Sequence, residues 1–192
     1  MLLYIHGFNS SPQSDKARIT LTYCQTFLPQ LKVYQPQLPS NPAAAFALLC
    51  DITEQAIAAG ESLHYMGSSL GGFFATILAE RYGGKAVLIN PAVEPHLLMT
   101  DLLGLQTNPY TNEQYRVTLG HRSELAAMAP KAIMHPDRFY VLLQSGDEVL
   151  DYRNAVAFYH CCAMHIEPGG NHSFEGYQEQ LDGIFRFLAL TT

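Results

Sequence analysis

Tryptophan is missing from this chain, and charged residues fill only 15% of its 192 positions. Soluble domains usually carry about 25% charge, so the balance points to one compact body with a substantial core and few solvated tails. Basic residues are scarcest: 11 Lys and Arg stand against 17 Asp and Glu, for a net charge of -6. No cluster of Lys and Arg occurs anywhere. This argues against nucleic acid or an anionic membrane as a partner. No apolar run reaches membrane-spanning length. The opening Met1-Leu2-Leu3-Tyr4-Ile5 lacks a basic leader and is too short for a signal-peptide core, so it reads as a strand. Cysteine is sparse and shows no metal-ligand spacing: Cys24, Cys50, and the adjacent Cys161 and Cys162. Three of these lie in apolar surroundings, which predicts buried reduced thiols, no metal and a reducing cytoplasm. Internal repeats, low-complexity tracts and inter-domain linkers are also lacking.

What is present is alternation. Short β-type runs at Leu2–Ile5, Lys32–Gln35, Ser62–Met66, Lys85–Asn90, Arg138–Gln144 and Ala163–Glu167 are separated by helical patterns. The helices are expected near Pro12–Phe27, Pro42–Ala59, Leu70–Tyr82, Tyr152–His160 and Phe174–Leu188. Ser11 followed by Pro12 reads as an N-cap and first turn. Continuously apolar runs such as Ala86-Val87-Leu88-Ile89 suit strands covered on both faces. The expectation is a single α/β domain with a mostly parallel sheet of about six strands and right-handed crossovers. The stretch of about 92–135 breaks the rhythm, with no convincing strand and many turn signals. Leu98, Leu102 and Leu105 recur there at helical spacing, so it reads as a small helical cap.

Gly67-Ser68-Ser69-Leu70-Gly71 lies between the third strand and the third helix. A G-x-S-x-G there is a nucleophile elbow, a tight strained turn that pushes a serine hydroxyl into a cleft. Only Ser69 has glycines two residues to either side; Ser68 should face away or make local contacts. Gly71-Gly72 is followed by no lysine, so a phosphate loop is excluded.

A serine hydroxyl needs a base, and the base needs an orienting acid. On this topology they follow the serine in the order acid then histidine, each on a loop leaving the carboxyl end of a strand. Asp147, after the strand ending at Gln144, occupies the acid's position. Glu148 and Asp151 are rivals, although Asp151 also reads as the N-cap of the next helix, and Asp147 could serve only as a turn residue. His172, on the glycine-rich loop after the last strand, is the candidate base. His160 and His165 lie within regular elements, His64 within the strand before the elbow, and His96, His121 and His135 within the cap segment, where exposure explains them. The oxyanion hole should combine the backbone N–H of Leu70 with that of Phe8 beyond Gly7. His6 reads as a hydrogen-bonded spacer of the same loop. Leu98, Leu102, Tyr110 and Tyr115 are candidates for a substrate pocket, or simply pack the cap onto the core.

Several segments together resemble the bacterial YqiA-type esterases, a compact branch of the α/β-hydrolase superfamily. They are Leu3-Tyr4-Ile5-His6-Gly7-Phe8-Asn9-Ser10-Ser11-Pro12, Gly67-Ser68-Ser69-Leu70-Gly71-Gly72, Ile89-Asn90-Pro91-Ala92, Asn108-Pro109-Tyr110-Thr111, Gly146-Asp147-Glu148-Val149-Leu150-Asp151-Tyr152-Arg153 and Gly169-Gly170-Asn171-His172. The resemblance spans essentially the whole chain. It implies hydrolysis of carboxylic esters, either short acyl esters or acyl-CoA thioesters, with no cofactor and with Ser69, Asp147 and His172 as the triad. One fold hosts many reactions, so a lyase using the same triad and a ligand-binding protein without turnover stand as the alternatives.

Overall fold

The computed structural model describes residues 1–191. Six strands, β1 (Leu2–Ile5), β2 (Val33–Tyr34), β3 (His64–Ser68), β4 (Lys85–Ile89), β7 (Phe139–Gln144) and β8 (Ala163–Glu167), form one sheet in the order β2-β1-β3-β4-β7-β8. Every neighbouring pair in it is parallel. Between them run α1 (Asp15–Phe27), α2 (Pro42–Ala58), α3 (Leu70–Tyr82), α6 (Tyr152–Phe158) and α7 (Tyr177–Phe187).

Side chains alternate across a strand, and here they divide between two cores. Leu3, Ile5, Tyr65, Leu88, Val141 and Leu143 face α2, α3 and α6. Leu2, Tyr4, Met66, Val87, Ile89 and Leu142 face α1 and α7. This two-sided burial is why the central strands read as continuous apolar runs. The chain leaves β1 toward one sheet edge and β3 toward the other. The loops at their carboxyl ends therefore diverge, leaving a crevice at the switch point where α/β sheets place their sites.

Several element ends differ from the sequence reading. α1 begins at Asp15, not Pro12, because Ser11 Oγ accepts from the Gln13 N–H at 2.9 Å and closes a separate turn first. Likewise α7 begins at Tyr177, not Phe174, since Phe174 (φ 62°) and Gly176 (φ 70°) are left-handed. Asn41 caps α2, its side chain accepting from the Ala44 N–H at 2.8 Å. Only Cys24 of the four free cysteines is buried, and Cys161 is exposed, so the expectation of buried thiols holds for one of them.

The segment between β4 and β7 is the larger correction. It contains the expected helical pieces, α4 (Pro95–Leu98) and α5 (Leu119–Met128), but also an antiparallel hairpin of β5 (Gly104–Thr107) and β6 (Gln114–Val117). Leu98, Leu102 and Leu105 thus belong to a helix, a turn and a strand, and Leu105 is 63% exposed. Their spacing was a coincidence of three short elements. Among the described residues no helix is long and apolar enough to cross a membrane.

Candidate active site

Ser69 stands between the end of β3 and the start of α3 with φ 55° and ψ -121°, a conformation strained for any residue with a Cβ. Its backbone is held on both sides. The Ser69 N–H donates to the Ile89 carbonyl at 3.0 Å, and its carbonyl accepts from Gly72 (2.9 Å) and Ala92 (3.1 Å). A Cβ on Gly67 would collide with the Gly71 carbonyl, and one on Gly71 with the Ile5 carbonyl. The two glycines therefore let α3 start directly above β1 and β3. Ser69 is half-buried, whereas Ser68 is 6% exposed. Ser68, expected to face away or make local contacts, is among the residues that line the larger cavity at this site.

Asp147 and His172 meet across two interlocked loops. The Gly146 N–H donates to the Gly169 carbonyl at 2.7 Å, and the Gly169 N–H to Ser145 Oγ at 2.9 Å. The loops press so closely that a Cβ on Gly146 would strike Gly169 and Gly170. His172 Nδ1 lies 2.8 Å from Asp147 Oδ2, with side-chain exposures of 21% and 2%. Asp147 Oδ1 accepts from the Val149 (2.9 Å) and Leu150 (2.8 Å) amides. Burial pushes the Asp147 carboxyl up. The His172 hydrogen bond, the two amides and the imidazolium charge outweigh it and leave the carboxyl below its ordinary value. The rival acids have other partners. Glu148 Oε2 accepts from the His172 backbone N–H at 2.9 Å. Asp151 caps α6 and pairs with Arg153.

Sequence reading missed the residue that ties these parts together. Asn90, at the end of β4, is 2% exposed and left-handed (φ 41°). Its Nδ2 donates to the Asn171 carbonyl (3.0 Å) and the His172 carbonyl (3.2 Å), while Oδ1 accepts from the Gln144 N–H (3.0 Å). Ile89 and Ala92 on either side hold the Ser69 backbone, so Ile89-Asn90-Pro91-Ala92 is a strut between the elbow and the histidine loop. Gln144, 3% exposed, adds a second anchor, its Oε1 accepting from Asn171 (3.1 Å) and Glu175 (2.9 Å). Glycine tolerates the left-handed backbone at position 90, so Asn90→Gly isolates the loss of the amide. It should cost about 1–3 kcal/mol through the buried groups left unpaired, and hydrogen exchange should rise in residues 168–173. Unchanged exchange there would show that the amide does not hold the loop.

The other candidates fall as follows. Neither the Phe8 nor the Leu70 N–H donates to another described residue. Both residues line a cavity of about 40 Å³ beneath the insertion, together with Phe74, Met99 and Tyr115. A second cavity of about 680 Å³, open and more polar, is lined by His172, Lys16, Tyr110 and Glu175. The two share Gly7 and Phe8, and Ser69 lies against Gly7: a Cβ there would fall 3.7 Å from Ser69 Oγ. Among the described residues no hydrogen bond joins Ser69 Oγ to the imidazole, whose contact is with Asp147. Leu98 lines a separate cavity beside Val149, and Leu102 packs against the core, so neither borders these two spaces.

Histidine placements largely follow from packing. His6 Nε2 accepts from the Leu38 N–H at 3.1 Å, so Nδ1 carries the proton and donates to the Gly7 carbonyl at 2.9 Å. Burial lowers its pKa against the opposing Gly7 hydrogen bond and keeps it neutral. His64 Nδ1 contacts the Met1 carbonyl (3.1 Å), and His165 pairs with Glu167 (3.2 Å). Of the three cap-segment histidines only His135 is exposed; His96 Nδ1 is buried without a partner and His121 borders the smaller cavity. Among the described residues no group of three or more His, Cys, Asp or Glu converges as a metal site would require.

A parallel six-stranded sheet with a serine elbow at its switch point defines an α/β-hydrolase fold. Residues 1–189 match the model of the uncharacterised protein family UPF0227, the YqiA family, and the chain belongs to it. The fold is similar to several solved structures at low sequence identity. Est1E from Butyrivibrio proteoclasticus with ferulic acid bound shares 14% identity at a TM-score of 0.69, over 98% of this chain and 87% of that one. The mouse α/β-hydrolase domain-containing protein 10 shares 15% at 0.68, over 98% and 88%. The monoacylglycerol lipase of Paleococcus ferrophilus shares 13% at 0.69, over 99% and 94%.

Proposed function

We propose that this protein is a serine hydrolase of carboxylic esters, acting on short acyl esters or acyl-CoA thioesters through an acyl-enzyme on Ser69. The observation that carries this reading is the buried Asp147 carboxylate held 2.8 Å from His172 Nδ1, on loops tied to the strut that holds the Ser69 backbone. A neutral imidazole oriented through Nδ1–H presents a free Nε2, which is the proton acceptor a serine nucleophile needs. The Nε2–Oγ bond forms as substrate binds, as catalytic hydrogen bonds commonly do. His172 takes the Ser69 proton as Oγ attacks the carbonyl, then returns it to the departing alkoxide or thiolate. Water repeats the sequence to release the acid. The unengaged amides of Phe8 and Leu70 receive the developing oxyanion.

The same roles divide the two cavities. The leaving group takes its proton from His172 and therefore lies in the larger polar space beside it, toward Tyr110. The acyl group then occupies the smaller space beyond Phe8 and Leu70, walled by Tyr115. At about 40 Å³ that space equals roughly three water-sized sites, which suits a short acyl chain. Four free thiols fit the reducing cytoplasm.

A fluorophosphonate probe tests the reading together with p-nitrophenyl and CoA esters of graded acyl length. Phosphonylation should fall on the peptide containing Ser69, with loss of fluoride and protection by a turned-over ester. Specificity should peak at two to four acyl carbons. A panel with no turnover, or a label on another residue, would refute it.

A further inference from the structure

We infer that Tyr115 is a positioning residue of the oxyanion hole: the β5–β6 hairpin, through Tyr115, Gln106 and Asn108, grips the loop after β1 and aims the Phe8 amide. The inference rests on the role proposed above for Ser69 and Phe8.

The loop in question, residues 6–10, pairs with no strand, and Asn9 within it is left-handed at φ 50°. An asparagine reaches that conformation more readily than most residues, but one side-chain amide exposed on a loop does not fix it. Here the amide is gripped at both ends. The Tyr115 hydroxyl donates to Asn9 Oδ1 at 2.6 Å, and Asn9 Nδ2 reaches Gln106 Oε1 at 3.5 Å. Gln106 and Tyr115 sit directly opposite each other in the hairpin register, so the clamp is a cross-strand pair. Two residues beyond Gln106, Asn108 Nδ2 donates to the Ser10 carbonyl at 3.0 Å. Asn108 is 6% exposed, and its Oδ1 also accepts from the Tyr110 (2.9 Å) and Thr111 (3.3 Å) amides, forming the hairpin turn and docking it in one step. The Phe8 ring meets the Tyr115 ring edge-to-face at 6.1 Å. Burial, with the nearby Glu113 charge, pushes the Tyr115 hydroxyl up to about 12, so it remains a donor across the working pH range.

The grip explains why a hairpin belongs in this insertion. A backbone donor is useful only if its N–H points where the oxyanion will form. Gly7 gives the loop freedom of approach to Ser69 but no rigidity. His6, through Gly7 and Leu38, holds the end nearest the sheet. The far end is held mainly by the insertion, through bonds spanning 97 to 106 residues of sequence, with Gln37 Nε2 also donating to the Ser10 carbonyl at 3.4 Å.

The test is a double-mutant cycle on p-nitrophenyl acetate. Tyr115→Phe deletes the hydroxyl and keeps the ring against Phe8. Asn9→Gly deletes the amide and accepts the positive φ. Each should lower kcat more than tenfold at little-changed KM, short of the roughly 10²–10³ lost when an oxyanion donor is removed outright. The double variant should lose no more than the more impaired single, because both cut the Tyr115–Asn9 bond. Each is assayed well below its own melting temperature; if Tyr115→Phe does not fold, Asn9→Gly carries the test by itself. Additive losses, or a raised KM with a shifted chain-length preference, would overturn the inference and make the Tyr115 hydroxyl a substrate contact. Wild-type kcat in both single variants would overturn it while leaving the hydrolase reading intact. A wild type without esterase turnover, or a Ser69→Ala variant with full turnover, removes both.

Discussion

Ser69→Ala should lower kcat for an activated ester by about 10⁶-fold, the scale seen when a triad nucleophile is removed, and leave the melting temperature unchanged. The Ser69 hydroxyl makes no hydrogen bond to another described residue, so its loss unpairs nothing. Alanine also carries the same Cβ into the same left-handed backbone. Ser69→Gly separates the two terms. Glycine takes φ 55° and ψ -121° without a Cβ clash, and relief of that strain should stabilise the fold by roughly 1–3 kcal/mol, a few degrees in melting temperature. The glycine variant would be as inactive as alanine and more stable than the wild type. Calorimetry beside steady-state kinetics reads both. A glycine variant that melts lower would mean the elbow stores no strain, and an alanine variant that retains turnover would remove Ser69 from the chemistry.

Asp147→Asn should lower kcat by about 10⁴-fold with a small change in KM. The mechanism lies in the proton inventory. Asp147 Oδ1 already accepts two amides, from Val149 and Leu150. An asparagine must keep its carbonyl oxygen there, which turns its NH2 toward His172 Nδ1. The imidazole then flips tautomer, Nε2 becomes a donor, and it no longer accepts the serine proton. Glu148→Gln retains a carbonyl acceptor for the His172 backbone N–H and should lose less than tenfold. Equal losses in the two variants would unseat Asp147 as the orienting acid. Acid stability supplies a second readout. The Asp147 pKa is depressed in the fold, so its contribution is fully present above the unfolded value of about 3.9 and is lost as pH falls through the folded one. Asp147→Asn lacks that contribution, and its stability should depend less on pH below about 4.

The separability of these variants reflects how the site is built. Ser69, Asp147 and His172 each sit on a loop made by glycines whose added Cβ would strike backbone or a buried side chain, as at Gly67, Gly71, Gly146 and Gly170. Those glycines lie within two residues of the groups they serve, so the elbow and the two loops were legible along the chain. The sheet strands were legible for a related reason: burial on both faces wrote them as apolar runs. The hairpin left no such signature. Its inward positions mix Gly104 and Gln106 with Tyr115 and Val117, while the apolar Leu105 faces out, so no apolar alternation marks the core face. What organises it is the Asn108 turn and the docking onto Ser10 and Asn9. Asn90 was equally hidden. It stands in sequence as a polar residue ending a strand and beginning a turn, and nothing local distinguishes it from a simple turn former.

Local chemistry, readable from neighbours in the chain, determined the parallel α/β architecture, the strained serine and the two loops that bear the acid and the histidine. Strand order decided the rest. Placing β4 between β3 and β7 brings Asn90 to the histidine loop 81 residues away, and folding the insertion over β1 brings Tyr115 to Asn9 across 106. A side-chain amide or hydroxyl carries no mark of a distant partner. Its role exists only once the fold has brought that partner within hydrogen-bond reach.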